Sequence, residues 1–63
     1  MGLPNDPFML MSFVNTQLRD EFPSLWELAL SYGVDEKEIV DKLKSVGFIY
    51  NDELNKFVPA QVN

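Results

Sequence analysis

The chain has 63 residues with no cysteine and no histidine, so disulfides, thiolate metal sites, Cys nucleophiles and the commonest general base are excluded by composition. Its net charge of −5 and its single arginine, Arg19, disfavour polyanions, because nucleic-acid binding by counterion release needs clustered Lys and Arg. The apolar share is 46%, with five Phe, two Tyr and one Trp; a domain this small buries only about 60% of its unfolded surface, so either an aromatic-rich core suffices or a partner completes it.

No apolar run approaches the roughly 18–20 residues of a membrane span. Met1-Gly2-Leu3-Pro4-Asn5-Asp6 lacks a basic leader region, and Asp6 stands where a myristoylation motif needs Ser or Thr. With no cysteine present, a cytoplasmic protein is expected.

Asn5-Asp6-Pro7 reads as a helix start, with Asp6 as cap and Pro7 in the first helical position. The helix runs from Pro7 to about Glu21, with Leu10, Met11, Val14 and Leu18 as its apolar stripe. Ser12, Asn15, Thr16 and Arg19 fall on the far side, and Phe8, Met9 and Phe13 lie off the stripe. Phe22-Pro23 ends it.

Ser24-Leu25-Trp26-Glu27 has the pattern of a reciprocal capping box. The second helix, Leu25 to Tyr32, buries Leu25, Leu28, Ala29 and Tyr32 and stops at Gly33. Trp26 and Leu30, four apart and off that stripe, are neighbours on its outer surface. Asp35 starts a third helix, Glu36 to about Ser45, with Ile39, Val40, Leu43 and Val46 inward and Glu38 spaced to pair with Lys42. After Gly47 the period becomes that of a hairpin: Phe48-Ile49-Tyr50, a turn at Asn51-Asp52-Glu53-Leu54-Asn55, and Lys56-Phe57-Val58. Asn55 is the turn residue best able to take the left-handed conformation.

Residues 1–63 therefore read as a single domain, with 1–5 a lead-in and 59–63 a frayed tail. The expected fold is mainly α, a three-helix bundle of helix-turn-helix type followed by a short C-terminal β-hairpin. One core is expected from Leu10, Val14, Leu18, Leu28, Ala29, Ile39, Leu43 and Phe57.

Glu27 to Val34 resembles the first helix and turn of a helix-turn-helix, with Ala29 at the crossing, Gly33 in the turn and Val34 after it. Ile39 and Leu43 take the core positions of its second helix, and the hairpin resembles the wing of a winged helix. The string from Asn5 to Asp20, with Gly47-Phe48-Ile49-Tyr50 and Asn55-Lys56-Phe57-Val58, resembles a family of very short bacterial proteins classed only as a domain of unknown function. The resemblance spans about nine-tenths of the chain in keeping with one domain. It implies a bacterial cytoplasmic origin and brings no activity, cofactor or site residue.

A DNA-reading role meets a charge problem. The helix in the recognition position carries Glu36, Glu38 and Asp41 against Lys37, Lys42 and Lys44, and the wing carries Asp52 and Glu53 against Lys56. Groove-reading helices offer Arg, Lys, Asn or Gln with basic support for phosphates, so nucleic acid is not the expected partner.

Asp41, Asp52 and Glu53 lack a Gly-rich loop beside them, phosphate-cradling motifs are absent, and the Asn51–Asn55 spacing does not match a calcium loop. The chain is expected to be no enzyme and to use no cofactor, catalytic residue, metal or small-molecule substrate. What remains is a protein partner or a homodimer. Trp26, Leu30, Phe8, Met9 and Phe13 are the candidate partner-binding residues. On the first helix, a core wrapped around two sides that buries Phe8 and Phe13 explains the pattern equally well.

Overall fold

Asp6 starts the first helix: its carboxylate accepts hydrogen bonds from the backbone N–H groups of Phe8 (2.8 Å) and Met9 (3.2 Å) in the computed structural model, which describes residues 2–60. Because Pro7 has no N–H, the start of this helix leaves three N–H groups without an intrahelical partner, and two of them are thereby satisfied. Helix α1 spans Pro7–Asp20, α2 Leu25–Tyr32 and α3 Glu36–Lys44; strands β1, Phe48–Asn51, and β2, Lys56–Pro59, follow as an antiparallel hairpin. Three helices and then a two-stranded hairpin is the expected order.

Both later helices are capped from their own sequence. The Ser24 hydroxyl accepts from the Glu27 N–H at 3.2 Å, but the expected return bond from the Glu27 side chain is not formed among the described residues. Asp35 caps α3 by accepting from the Lys37 N–H at 3.0 Å. Gly33 closes α2 with φ +69°: its own N–H donates to the Leu30 carbonyl, and the Val34 N–H donates to the Ala29 carbonyl. That pair of bonds is a Schellman motif, and a left-handed residue is what permits it. On α3 the ion pair is Lys37–Asp41 at 2.6 Å rather than the expected Glu38–Lys42.

The core is formed by Leu10, Val14 and Leu18 of α1, Leu25, Leu28 and Ala29 of α2, Ile39 and Leu43 of α3, and Phe57 of β2. All eight expected core residues are in it, joined by Leu25. Met11, Tyr32 and Val40, read as inward, are half-buried at its margin. A hairpin alone is marginal in water, so its burial against helices matters. Here Phe48 and Tyr50 of β1 pack against the core while Ile49 between them is exposed, the two-residue alternation of a strand with one wet face.

Two asparagines tie the hairpin to the helices, and neither role is visible in the helical periodicity. Asn15, read as solvent-facing, is turned instead toward β2. Its Oδ1 accepts from the Phe57 N–H at 2.7 Å and its Nδ2 donates to the Phe57 carbonyl at 3.1 Å. The register explains why those groups are available. Ala60 donates to the Gly47 carbonyl at 2.8 Å, so in the alternation of an antiparallel ladder Tyr50↔Phe57 is a pair whose backbone groups point away from each other. The Phe57 backbone N–H and C=O thus face outward along the strand edge, and Asn15 supplies the missing neighbour. Pro59 occupies the same parity, so its lack of an N–H removes no ladder bond.

Asn55 carries the left-handed conformation expected of it, φ +54°. Its side chain does more. Nδ2 donates to the carbonyls of Leu18 (3.1 Å) and Phe22 (3.0 Å), and Oδ1 accepts from the Tyr50 hydroxyl at 2.6 Å. The Leu18 carbonyl is available because the Phe22 N–H, its normal helical partner, bonds to Gln17 instead. The Tyr50 hydroxyl in turn accepts from the Leu25 N–H at 3.3 Å, an unpaired donor at the start of α2. One turn residue thus satisfies the end of α1 directly and the start of α2 through Tyr50.

Pro59 and Ala60 are held by the sheet, so ordered structure extends past Val58, where a frayed tail was expected to begin at Pro59. The rest of that expected tail, residues 61–63, lies outside the described residues, as does Met1.

Candidate interaction surface

The five residues singled out as partner contacts separate into three settings. Trp26 and Leu30 are 60% and 65% exposed on the outer face of α2. Together with Val34, Asp35 and Glu36 they line a shallow depression where α2 gives way to α3. The Schellman turn builds this depression, because it brings Val34 back over Ala29 one turn below Leu30. On its other side Trp26 borders a second depression with Pro23, Glu36, Tyr50 and Asp52. Trp26 is therefore an exposed ring standing between two hollows.

Phe8 and Met9 lie at the start of α1, 58% and 64% exposed. Phe8 meets Phe48 edge-on with ring centroids 6.3 Å apart, which ties part of the ring to the hairpin. Phe13 is half-buried against the core and packs edge-on to Tyr32 at 5.9 Å, with Phe22 on Tyr32 at 6.3 Å. Phe13 lies off the core stripe of the wheel but is half-buried because α1 is covered on more than one side, the alternative left open for it. None of the aromatic ring contacts among the described residues links Trp26 to Phe8 or Phe13.

Sequence reasoning missed the residues that give Trp26 its surroundings. Val34 and Glu36 reach it through the Gly33 turn, and Tyr50 and Asp52 reach it through the fold of the hairpin. The Gly33-Val34 pair, a glycine stop followed by an apolar residue, was the one local signal available. Leu54 was also missed: it is 61% exposed at the hairpin turn and borders a cleft with Met11, Thr16 and Arg19.

No charged side chain among the described residues is buried. Arg19 and Asp20 pair at 2.9 Å on the surface; hydrogen bonding to Arg19 lowers the Asp20 carboxyl, and the same bond raises Arg19. Hydrogen bonding to Asp41 raises Lys37. No buried polar side-chain atom lacks a partner among the described residues, and no group of three or more His, Cys, Asp or Glu is placed there to hold a metal ion. No helix among the described residues is long and apolar enough to cross a membrane.

The model of one protein family, Domain of unknown function (DUF4250), matches residues 4–57. No curated protein and no solved structure matches the chain.

Proposed function

The chain belongs to the DUF4250 family, and we propose that it is a small non-catalytic binding module that engages a protein through the Trp26–Leu30 face. The observation that carries this reading is the shared exposure of Trp26 and Leu30 beside one depression, on a domain whose core already closes without them. Large apolar side chains gathered on a wet face mark interaction sites, and Trp is the residue most enriched at the energetic centre of interfaces. A cytoplasmic setting is part of the proposal, supported by the cysteine-free composition; a bacterial origin is proposed with it from the sequence resemblance alone.

Two assays on wild type and Trp26→Ala test it: sedimentation over a concentration series, and capture of proteins from a bacterial lysate. The expected result is a self-associated or captured species that Trp26→Ala loses while its thermal melt stays unchanged. Wild type and Trp26→Ala that behave identically in both assays would overturn the reading.

A second reading is favoured by element order alone: α2, the Gly33 turn, α3 and then a hairpin follow the sequence of a winged helix, a nucleic-acid-binding layout. Against it stand the mixed charges of α3, where Lys37 is already engaged by Asp41. Salt-sensitive retardation of random duplex DNA at low ionic strength would favour this reading over the first.

A further inference from the structure

We infer that the Trp26–Leu30 face receives a cationic amphipathic helix of a protein partner, one with Lys or Arg flanking an apolar stripe. This rests on the binding-module reading and adds the chemistry of the occupant. Among the described residues, the two depressions beside Trp26 have Asp35, Glu36 and Asp52 as their only charged lining residues. Glu27, the residue after Trp26, is an exposed acid. Lys37, the residue after Glu36, is held by Asp41 at 2.6 Å. The face is thus an apolar ridge bordered by carboxylates, with no lysine or arginine lining the two depressions among the described residues.

That charge pattern selects among occupants. A second copy docking by two-fold symmetry would bring the same face against itself, setting the Asp35, Glu36 and Asp52 carboxylates of one copy against the same acidic face of the other. Like charges opposed across an interface are unfavourable, so the homodimer is disfavoured on this face. Nucleic acid is repelled for the same reason. A helix bearing Lys or Arg beside Leu or Phe satisfies both components: apolar anchors fill the hollows at Trp26 and Leu30, and cations meet the flanking carboxylates. The indole face adds attraction for a guanidinium or ammonium.

The test uses the full chain and two synthetic amphipathic helical peptides, one of Leu and Lys and its counterpart with Glu in place of Lys. Binding is followed by the fluorescence of Trp26, the chain's single tryptophan, and by calorimetry for Trp26→Ala. The Leu/Lys peptide should bind and shift the emission to the blue, and the Leu/Glu peptide should not. Neutralising two carboxylates in Glu36→Gln/Asp52→Asn, which leaves the Asp35 cap intact, should weaken binding about tenfold, and raising salt to about 1 M should do likewise as the Debye length falls to about 3 Å. Trp26→Ala should abolish it. Equal binding of both peptides, indifference to salt and to the double variant, or binding that survives Trp26→Ala would each overturn the inference. A concentration-dependent dimer lost in Trp26→Ala would overturn it in favour of a second copy, while the binding-module reading stands. If neither peptide binds, the inference falls alone where the lysate or sedimentation assay still depends on Trp26, and falls with the wider reading where that assay does not.

Discussion

The side-chain amide of Asn15 pairs with the backbone of Phe57 as a neighbouring strand would, accepting its N–H at 2.7 Å and donating to its carbonyl at 3.1 Å. The hairpin has only two strands, and the edge of β2 that faces α1 has no third strand to bond. A helix cannot supply that ladder from its backbone, because its own groups are already paired along its axis. Asparagine carries an acceptor oxygen and a donor NH2 side by side in one planar amide, so it can present an N–H and a C=O as a peptide group does.

Replacing Asn15 with Ala should therefore cost about 1–3 kcal/mol, the penalty for leaving a part-buried donor and acceptor unpaired. Asn15→Asp keeps the acceptor for the Phe57 N–H but turns a carboxylate oxygen toward the Phe57 carbonyl, so it should also destabilise. Urea unfolding followed by far-UV circular dichroism measures both. An Asn15→Ala chain as stable as wild type would show that water replaces the amide without loss.

Asn55 combines a backbone role with a side-chain role, and two substitutions separate them. Asn55→Gly keeps the left-handed backbone accessible but loses the bonds to Leu18, Phe22 and Tyr50. Asn55→Ala loses those bonds and also places a Cβ in the left-handed region, a further cost of about 1–2 kcal/mol. The expected order of stability is wild type, then Asn55→Gly, then Asn55→Ala. If Asn55→Gly matches wild type in chemical denaturation, the hydrogen-bond network contributes nothing measurable.

Gly33 tests backbone strain without crowding. A Cβ built there meets no atom within 4 Å, so Gly33→Ala should be destabilising through its φ of +69° alone, by about 1 kcal/mol. Asn tolerates this region better than Ala, so Gly33→Asn should recover part of the loss. Thermal melts that rank Ala at or above Asn would contradict this account of the turn.

The Arg19–Asp20 pair predicts a pH effect of a definite sign. Hydrogen bonding to Arg19 holds Asp20 below its ordinary value of 3.8, so its contribution is present above that value and is lost as pH falls through the lower folded-state value. The stability difference between wild type and Arg19→Ala should therefore be constant near neutrality and vanish under strongly acid conditions. Both side chains are largely in water, so the difference should be small at low salt and smaller still in high salt. A difference that grows as pH falls toward 2 would reverse the assigned sign.

The sequence by itself determined the three helices, their caps, the hairpin and eight core positions, because each depends on local spacing. Leu10, Val14 and Leu18 share one face of any helix that contains them, and Gly33 stops α2 through its own backbone freedom. The tertiary structure alone decided what stands opposite each face. Phe13 became core margin because Tyr32 covers it, and Asn15 became a strand's partner because Phe57, 42 residues away, presents its edge there. Trp26 was legible as off the stripe, but its carboxylate surroundings come from two separate segments, Asp35-Glu36 at the start of α3 and Asp52 in the hairpin turn. Periodicity reports which side chains leave a helix together; it carries no record of which distant backbone group or charge they meet.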